Sequence, residues 1–273
     1  MTNLVKTTIP LAVAALTLLL ATPVLNQPII AQSAEPGGPA CVVLLHGMGR
    51  TDFSMQRLEG ALRNEGYAVA NIHYGSREHT IEMLAEQVIS LGLQSCAEQQ
   101  ASPVHFATHS LGGILVRYYL RDRSLPELGR VVMMAPPNQG SEIIDVLGDL
   151  PGFELFSSEP AQQLGTNPDS IPMQLGPVNF EVGVIAGNRS INPLLSMALP
   201  DRDDGKVTVE NTKVEGMADF IELPYSHTFI MQRQESINQV IHFLANGHFD
   251  HSGQASSGGI FAGLPDLLDA SGW

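Results

Sequence analysis

Positive charge is scarce in this 273-residue chain: 14 Lys and Arg stand against 28 Asp and Glu, giving a formal net charge of −14. A surface that negative repels phosphate backbones and anionic headgroups, which argues against a nucleic-acid partner. Long hydrophobic runs are also scarce. The one that stands out, Ile9 to Ala21, is too short to span a bilayer comfortably. Lys6 is the only charged residue before Glu35, and small residues suited to cleavage follow at Ala31-Gln32-Ser33-Ala34. Residues 1–33 are therefore expected to be an export signal cleaved after Ser33, with an uncleaved anchor as the alternative. The cleavage region lacks cysteine, so a lipid-modified anchor is not indicated. Cysteine occurs only as Cys41 and Cys96, both beyond the signal. In an oxidising compartment such a pair is a disulfide candidate, against the alternative of two independent buried side chains. No repeat period is visible, and low-complexity sequence is confined to the end. After Gly247 the Ser- and Gly-rich stretch reads as a flexible tail, dispensable to the core.

What is present is a sizeable apolar fraction, 44% of the residues, enough for one domain with its own core. Cys41 to Leu45 is a short, continuously apolar run of the kind that forms a strand buried on both faces. Met55, Leu58 and Leu62 follow at helical spacing, and Tyr67 to Tyr74 reads as a second strand. Ile81, Leu84, Ala85, Val88 and Leu91 mark one face of an amphipathic helix. Val104 to Thr108 is a third strand, leading through Ser110 into a helix that reaches about Arg121, and Arg130 to Ala135 is a fourth. This alternation predicts an α/β fold with a mostly parallel sheet covered by helices. Residues 136–177 break the rhythm with Pro, Gly and scattered large apolar groups. Val178 to Ala186 resumes as a strand, Val207 to Val214 is β-prone, and Ile237, Val240, Ile241 and Leu244 mark a final helix.

The strongest chemical signal is Ala107-Thr108-His109-Ser110-Leu111-Gly112-Gly113, between a predicted strand and a predicted helix. A sharp turn there holds the serine in a strained conformation with its hydroxyl exposed at the sheet's carboxyl edge. Gly112 supplies the small residue needed where strand and helix approach, while Thr108 stands where a first glycine is usual. A structural turn serine is the alternative. With the elbow stand three further islands: Leu44-Leu45-His46-Gly47-Met48-Gly49, Ala135-Pro136-Pro137-Asn138-Gln139-Gly140-Ser141, and Asp203-Asp204-Gly205 with His227 in Pro224-Tyr225-Ser226-His227-Thr228. In this order the four resemble the α/β-hydrolase superfamily and, within it, bacterial lipases and esterases. The resemblance covers roughly Cys41 to Leu244.

It implies a serine hydrolase with Ser110 as nucleophile and His227 as base. Eight other histidines compete, among them His46, His105, His109, His248 and His251. Asp204 is implied as the acid because it precedes Gly205 and the expected strand Lys206-Val207-Thr208-Val209; Asp203 is the runner-up, and Asp201 and Asp219 are further candidates. The oxyanion donors would be the amides of Met48 and Leu111. A serine hydroxyl is a poor nucleophile until an imidazole takes its proton, and that imidazole needs a carboxylate to orient it. No cofactor is implied. His248-Phe249-Asp250-His251 has the residue types of a metal site but no partner cluster. Ser226 to Gln232 carries no acidic residue, which argues against the calcium site of some bacterial lipases, and Asn188-Arg189-Ser190 is a glycosylation triplet of the kind frequent by chance.

The fold so implied puts Cys41 and Cys96 at the amino ends of neighbouring strands, so a Cys41–Cys96 disulfide is expected. With the usual opening antiparallel strands missing, a minimal sheet of about six strands is expected. The catalytic domain would span 41–246 and the tail 247–273. Residues 141–200 would supply a cap, with Leu147, Leu150, Phe153, Leu155, Phe156, Leu164, Met173, Leu175, Leu194, Leu195, Met197 and Leu199 available to line an acyl pocket or to build the cap's own core. The expected activity is hydrolysis of a carboxylic ester, with an ester or lipid substrate, transient contact with a lipid surface, and a periplasmic or extracellular location. A thioesterase, an amidase, a deacylase of envelope lipids and a non-catalytic binding protein are the alternatives.

Overall fold

The structure, a computed structural model, describes residues 38–148, 158–191, 196, 197 and 199–253. The expected signal at 1–33 lies outside these residues, as do Leu150, Phe153, Leu155, Phe156, Leu194, Leu195 and the tail from 254 onward.

Strands β1 (Cys41–Leu45), β2 (Ala68–Ile72), β3 (Val104–His109), β4 (Leu128–Met134), β5 (Val182–Gly187) and β6 (Asp219–Leu223) form one six-stranded sheet in the order β2-β1-β3-β4-β5-β6. Every neighbouring pair is parallel. The connections include α1 (Gln56–Asn64), α2 (Ile81–Glu98) and α3 (Leu111–Leu120), and α8 (Gln234–Asn246) follows β6. Between β4 and β5 lie α4 (Glu142–Gly148), α5 (Glu159–Gln162) and α6 (Ile171–Gln174); α7 (Val209–Thr212) lies between β5 and β6.

Alternate side chains of β1 serve opposite faces of the sheet. Cys41, Val43 and Leu45 pack in one cluster with residues of α2 and α3. Val42 and Leu44 pack in another with Leu58 and Leu62 of α1 and Val240 and Phe243 of α8. With both faces covered, all of β1 is solvent-free, which is why its sequence is apolar without alternation.

Cys41 and Cys96 form a disulfide with Cα atoms 5.8 Å apart, joining the start of β1 to the last turn of α2. Closing a 55-residue separation removes chain entropy from the unfolded state corresponding to about 4 kcal/mol.

Two expectations need correction. The β-prone stretch Val207 to Val214 is not a strand: it holds an isolated bridge between Asp203 and Thr208 and then α7. Thr208 caps that turn by accepting from the Asn211 amide at 3.3 Å, a local bond that competes with strand pairing. The sixth strand is instead Asp219–Leu223. Phe249 and Asp250, which the sequence placed in the tail, are packed instead. Phe249 is 1% exposed, its ring 4.9 Å from that of Phe243, and its amide donates to Asp219 at 2.7 Å. Gln239 grips Asp250 through both backbone polar groups, at 2.7 and 2.8 Å.

Candidate active site

The sheet order reverses at β1: the chain runs from β1 out to β2, then returns past β1 to β3. Loops at the carboxyl ends on either side of such a reversal splay apart and leave a crevice. The loop after β1 carries His46 to Arg50, and the turn after β3 carries Ser110.

Ser110 sits between β3 and α3 with φ 53° and ψ −120°, backbone that a residue with a side chain rarely adopts. Its amide donates to the Met134 carbonyl at 2.9 Å. The turn requires close approach: a Cβ on Gly112 would lie 2.7 Å from the Leu45 carbonyl oxygen. Gly47 is equally confined, since a Cβ there would lie 2.7 Å from His109 Nδ1 and 3.1 Å from Ser110 Cβ. Thr108 is accommodated without exposure, its hydroxyl donating to the Val132 carbonyl at 3.4 Å.

His227 Nε2 lies 3.0 Å from Ser110 Oγ, and His227 Nδ1 lies 2.8 Å from Asp204 Oδ2. The ionised carboxylate only accepts, so the Nδ1 proton points at Asp204 and the Nε2 lone pair at the serine hydroxyl. The Asp204 side chain is wholly buried, and its other oxygen accepts from the amides of Lys206 and Val207 at 3.0 Å each. The His227 amide donates to the Asp204 carbonyl at 2.9 Å. The structure thus brings Ser110, His227 and Asp204 into one hydrogen-bonded line. Met48 borders a cavity that opens on Ser110, and Leu111 opens α3, where a helix has amides without intrahelical acceptors.

The rival candidates have other partners. Asp203 accepts from the Gly205 amide at 2.6 Å and the Ser196 hydroxyl at 2.8 Å. Asp201 is exposed. Asp219 receives Phe249 and His251. His46 is buried and stacked on Tyr74, ring centroids 4.0 Å apart. His105 accepts from the Arg130 amide at 2.7 Å. Among the described residues no group of three or more His, Cys, Asp or Glu is placed to hold a metal ion.

Sequence reasoning passed over His109 as a neighbour of the serine. It is buried, and its Nε2 lies 2.9 Å from the His227 carbonyl. A carbonyl only accepts, so Nε2 carries the proton and holds the His227 loop. Burial, and then the neighbouring His227, push the His109 pKa well below the ordinary histidine value.

A cavity of about 250 Å³ opens on Ser110 and His227, with a wall that includes Ile143, Ile144, Leu147 and Leu164. Two of the expected acyl-pocket residues, Leu147 and Leu164, thus line it; Leu175 packs into the core, while Met173 and Met197 are exposed. A larger cleft beside β6 and α8, of about 960 Å³, is bordered by Glu222, Glu235, His242 and Asp250 and does not reach the serine.

No protein-family model and no curated protein matches this chain. Solved structures do. The mature lipase BlEst2 of Bacillus licheniformis is similar at a TM-score of 0.56 and 16% identity, over 77% of this chain and 92% of that one. Phospholipase PlaB of Legionella pneumophila is similar at 0.59 and 19%, over 76% of this chain and 58% of that one. Lipase B of Aspergillus fumigatus is similar at 0.56 and 14%, over 77% and 53%. The chain therefore spans only somewhat more than half of the latter two. At these identities the likeness is one of fold, and with the six parallel strands and flanking helices it assigns the chain to the α/β-hydrolase fold.

Proposed function

We propose that this protein hydrolyses carboxylic esters through an acyl-enzyme on Ser110. The observation that carries the reading is the line Ser110 Oγ–His227 Nε2 at 3.0 Å and His227 Nδ1–Asp204 Oδ2 at 2.8 Å, at a strained elbow facing a cavity. Ser110 Oγ attacks the ester carbonyl while His227 Nε2 takes its proton; Asp204 stabilises the resulting imidazolium and fixes its orientation. The amides of Met48 and Leu111 receive the negative charge that develops on the carbonyl oxygen, a donor pair in which each member typically contributes about 10²–10³ in rate. His227 returns the proton to the departing alcohol, and water, deprotonated by the same imidazole, releases the acid.

Apolar wall residues, and the likeness in fold to two lipases and a phospholipase, support an acyl chain in the substrate. The disulfide and the apolar run from Ile9 to Ala21 support export to an oxidising compartment.

The test is labelling of the purified protein with a fluorophosphonate, with the adduct mapped by mass spectrometry. An adduct on Ser110 that is lost in His227→Ala is the expected result. No adduct on folded protein, with or without detergent to open a cap, would refute an activated serine.

A further inference from the structure

Cations are rare in this chain, 14 in 273 residues, yet Arg50 and Lys206 both line the cavity that opens on Ser110. No Asp or Glu is among the described residues lining it. Neither cation has an ion-pair partner among the described residues. Both are tied to the histidine loop or the acid loop. Arg50 Nη2 donates to the carbonyl of Thr228, the residue after His227, at 3.1 Å. Lys206 follows Asp204 by two residues, and its amide donates to that carboxylate at 3.0 Å.

Although much of Lys206 is exposed, its ammonium pKa is lowered, first by lost hydration and then by the Arg50 charge, with Asp204 acting in the opposite direction. Two like charges on one cavity whose lining holds no carboxylate favour an anionic occupant. The apolar wall of Ile143, Ile144, Leu147 and Leu164 suits an acyl chain. The departing alcohol must lie beside His227, which hands it a proton, and this is where Arg50 and Lys206 are anchored.

Resting on the ester-hydrolase reading, we infer that the substrate is an ester whose alcohol part carries an anionic group, gripped by Arg50 and Lys206. The reaction balance is that of hydrolysis. The acyl carbon bonds to Ser110 Oγ, its bond to the alcohol oxygen breaks, and that oxygen takes the proton from His227. Water then releases the acid, and the anionic group leaves unchanged on the alcohol.

Two matched pairs of esters with the same octanoyl group test this with wild-type protein. Monooctanoylglycerol against its phosphate monoester gives a phosphate arm, and the octanoyl esters of glycolamide and glycolate give a carboxylate arm. The anionic member is expected to have the higher kcat/KM, by about tenfold or more, in at least one arm. The arm that responds identifies the anion, and the advantage should shrink as salt is raised. The ratio should fall toward one in Arg50→Gln and in Lys206→Gln. Ser110-dependent turnover with no anionic preference in either arm overturns the inference and leaves the ester-hydrolase reading standing. So does a preference that survives in both variants. If a variant fails to fold, the wild-type ratios and their salt dependence decide alone. No turnover of any ester, with no fluorophosphonate adduct, defeats the hydrolase reading and this inference together.

Discussion

Asp204→Asn separates the two adjacent aspartates and tests the hydrogen-bonded line itself. In the native site one oxygen of Asp204 accepts from two backbone amides at 3.0 Å and the other faces His227 Nδ1 at 2.8 Å. An asparagine has one oxygen and one NH2 for these places. With the NH2 toward Lys206 and Val207, donors would meet donors and two hydrogen bonds would be lost, at a cost of roughly 2–3 kcal/mol. With the NH2 toward His227, both amide bonds survive, and the imidazole need only shift its proton to Nε2. The second arrangement is cheaper, and it leaves Nε2–H pointing at Ser110 with no lone pair to take the hydroxyl proton. Asp204→Asn should therefore fold with little loss of stability while kcat falls about 10⁴-fold, the scale set by a wrong imidazole tautomer. Asp203→Asn keeps an oxygen for the Gly205 amide and touches no histidine, so its kcat should stay within about threefold of wild type, since no transition-state contact is removed. The assay is release of nitrophenol from a short-chain ester, with thermal unfolding of both variants as the control. A larger loss in Asp203→Asn than in Asp204→Asn, or Asp204→Asn activity within tenfold of wild type, would refute the reasoning.

Two further outcomes concern the fold. Burial lowers the pKa of His46, His105 and His109. The unfolded chain therefore binds protons near pH 6.5 that the native chain refuses. Their stabilisation is complete above that pH and is lost as pH falls, by up to about 1.4 kcal/mol per pH unit for each histidine. Calorimetry should give a lower Tm at pH 5.5 than at pH 8, and equal values would count against neutral buried imidazoles. Phe249→Ala should cost about 3–5 kcal/mol and lower Tm by roughly 10 °C, whereas ending the chain after Gly253 should leave Tm unchanged; a Phe249→Ala protein that melts with wild type would contradict the docked segment.

The sheet was legible in the sequence because its inner strands are buried on both sides. Cys41 to Leu45 and Val104 to His109 are both enclosed, and in the first an unbroken apolar run between breakers left few other places for it. The edge strand β6 was less legible. Asp219–Leu223 pairs with β5 alone and carries Asp219 and Glu222, so its pattern is too polar to stand out. Val207 to Val214 carried the β-prone residues but folds as a capped turn, since Thr208 offers the backbone a local partner. Phe249 fell in the expected flexible tail, and only its buried contact with Phe243 shows why a large aromatic stands there. The Pro-rich island was recognisable as a motif, yet its physical role is a buried knot. Arg117 donates to the carbonyl of Asn138, and Asn138 reaches the Thr212 carbonyl, each at 2.8 Å.

The site divides along the same line. Ser110 announces itself because the elbow is local: strand, serine, Gly112 and helix lie within a dozen residues, and sterics dictate their types. Asp204 and His227 are 23 residues apart, and what joins them is long-range bonding that no spacing encodes. The His227 amide meets the Asp204 carbonyl, His109 holds the His227 carbonyl, and Arg50 holds that of Thr228. The backbone at His227 and Thr228 is thus clamped by Asp204, by the residue before Ser110, and by the loop after β1. Such a clamp explains how an irregular loop can hold an imidazole within hydrogen-bonding reach of a serine on a rigid sheet. On the proposed mechanism, replacing Arg50 or His109 should therefore loosen His227 rather than remove it, raising the weight of misaligned conformers instead of abolishing activity.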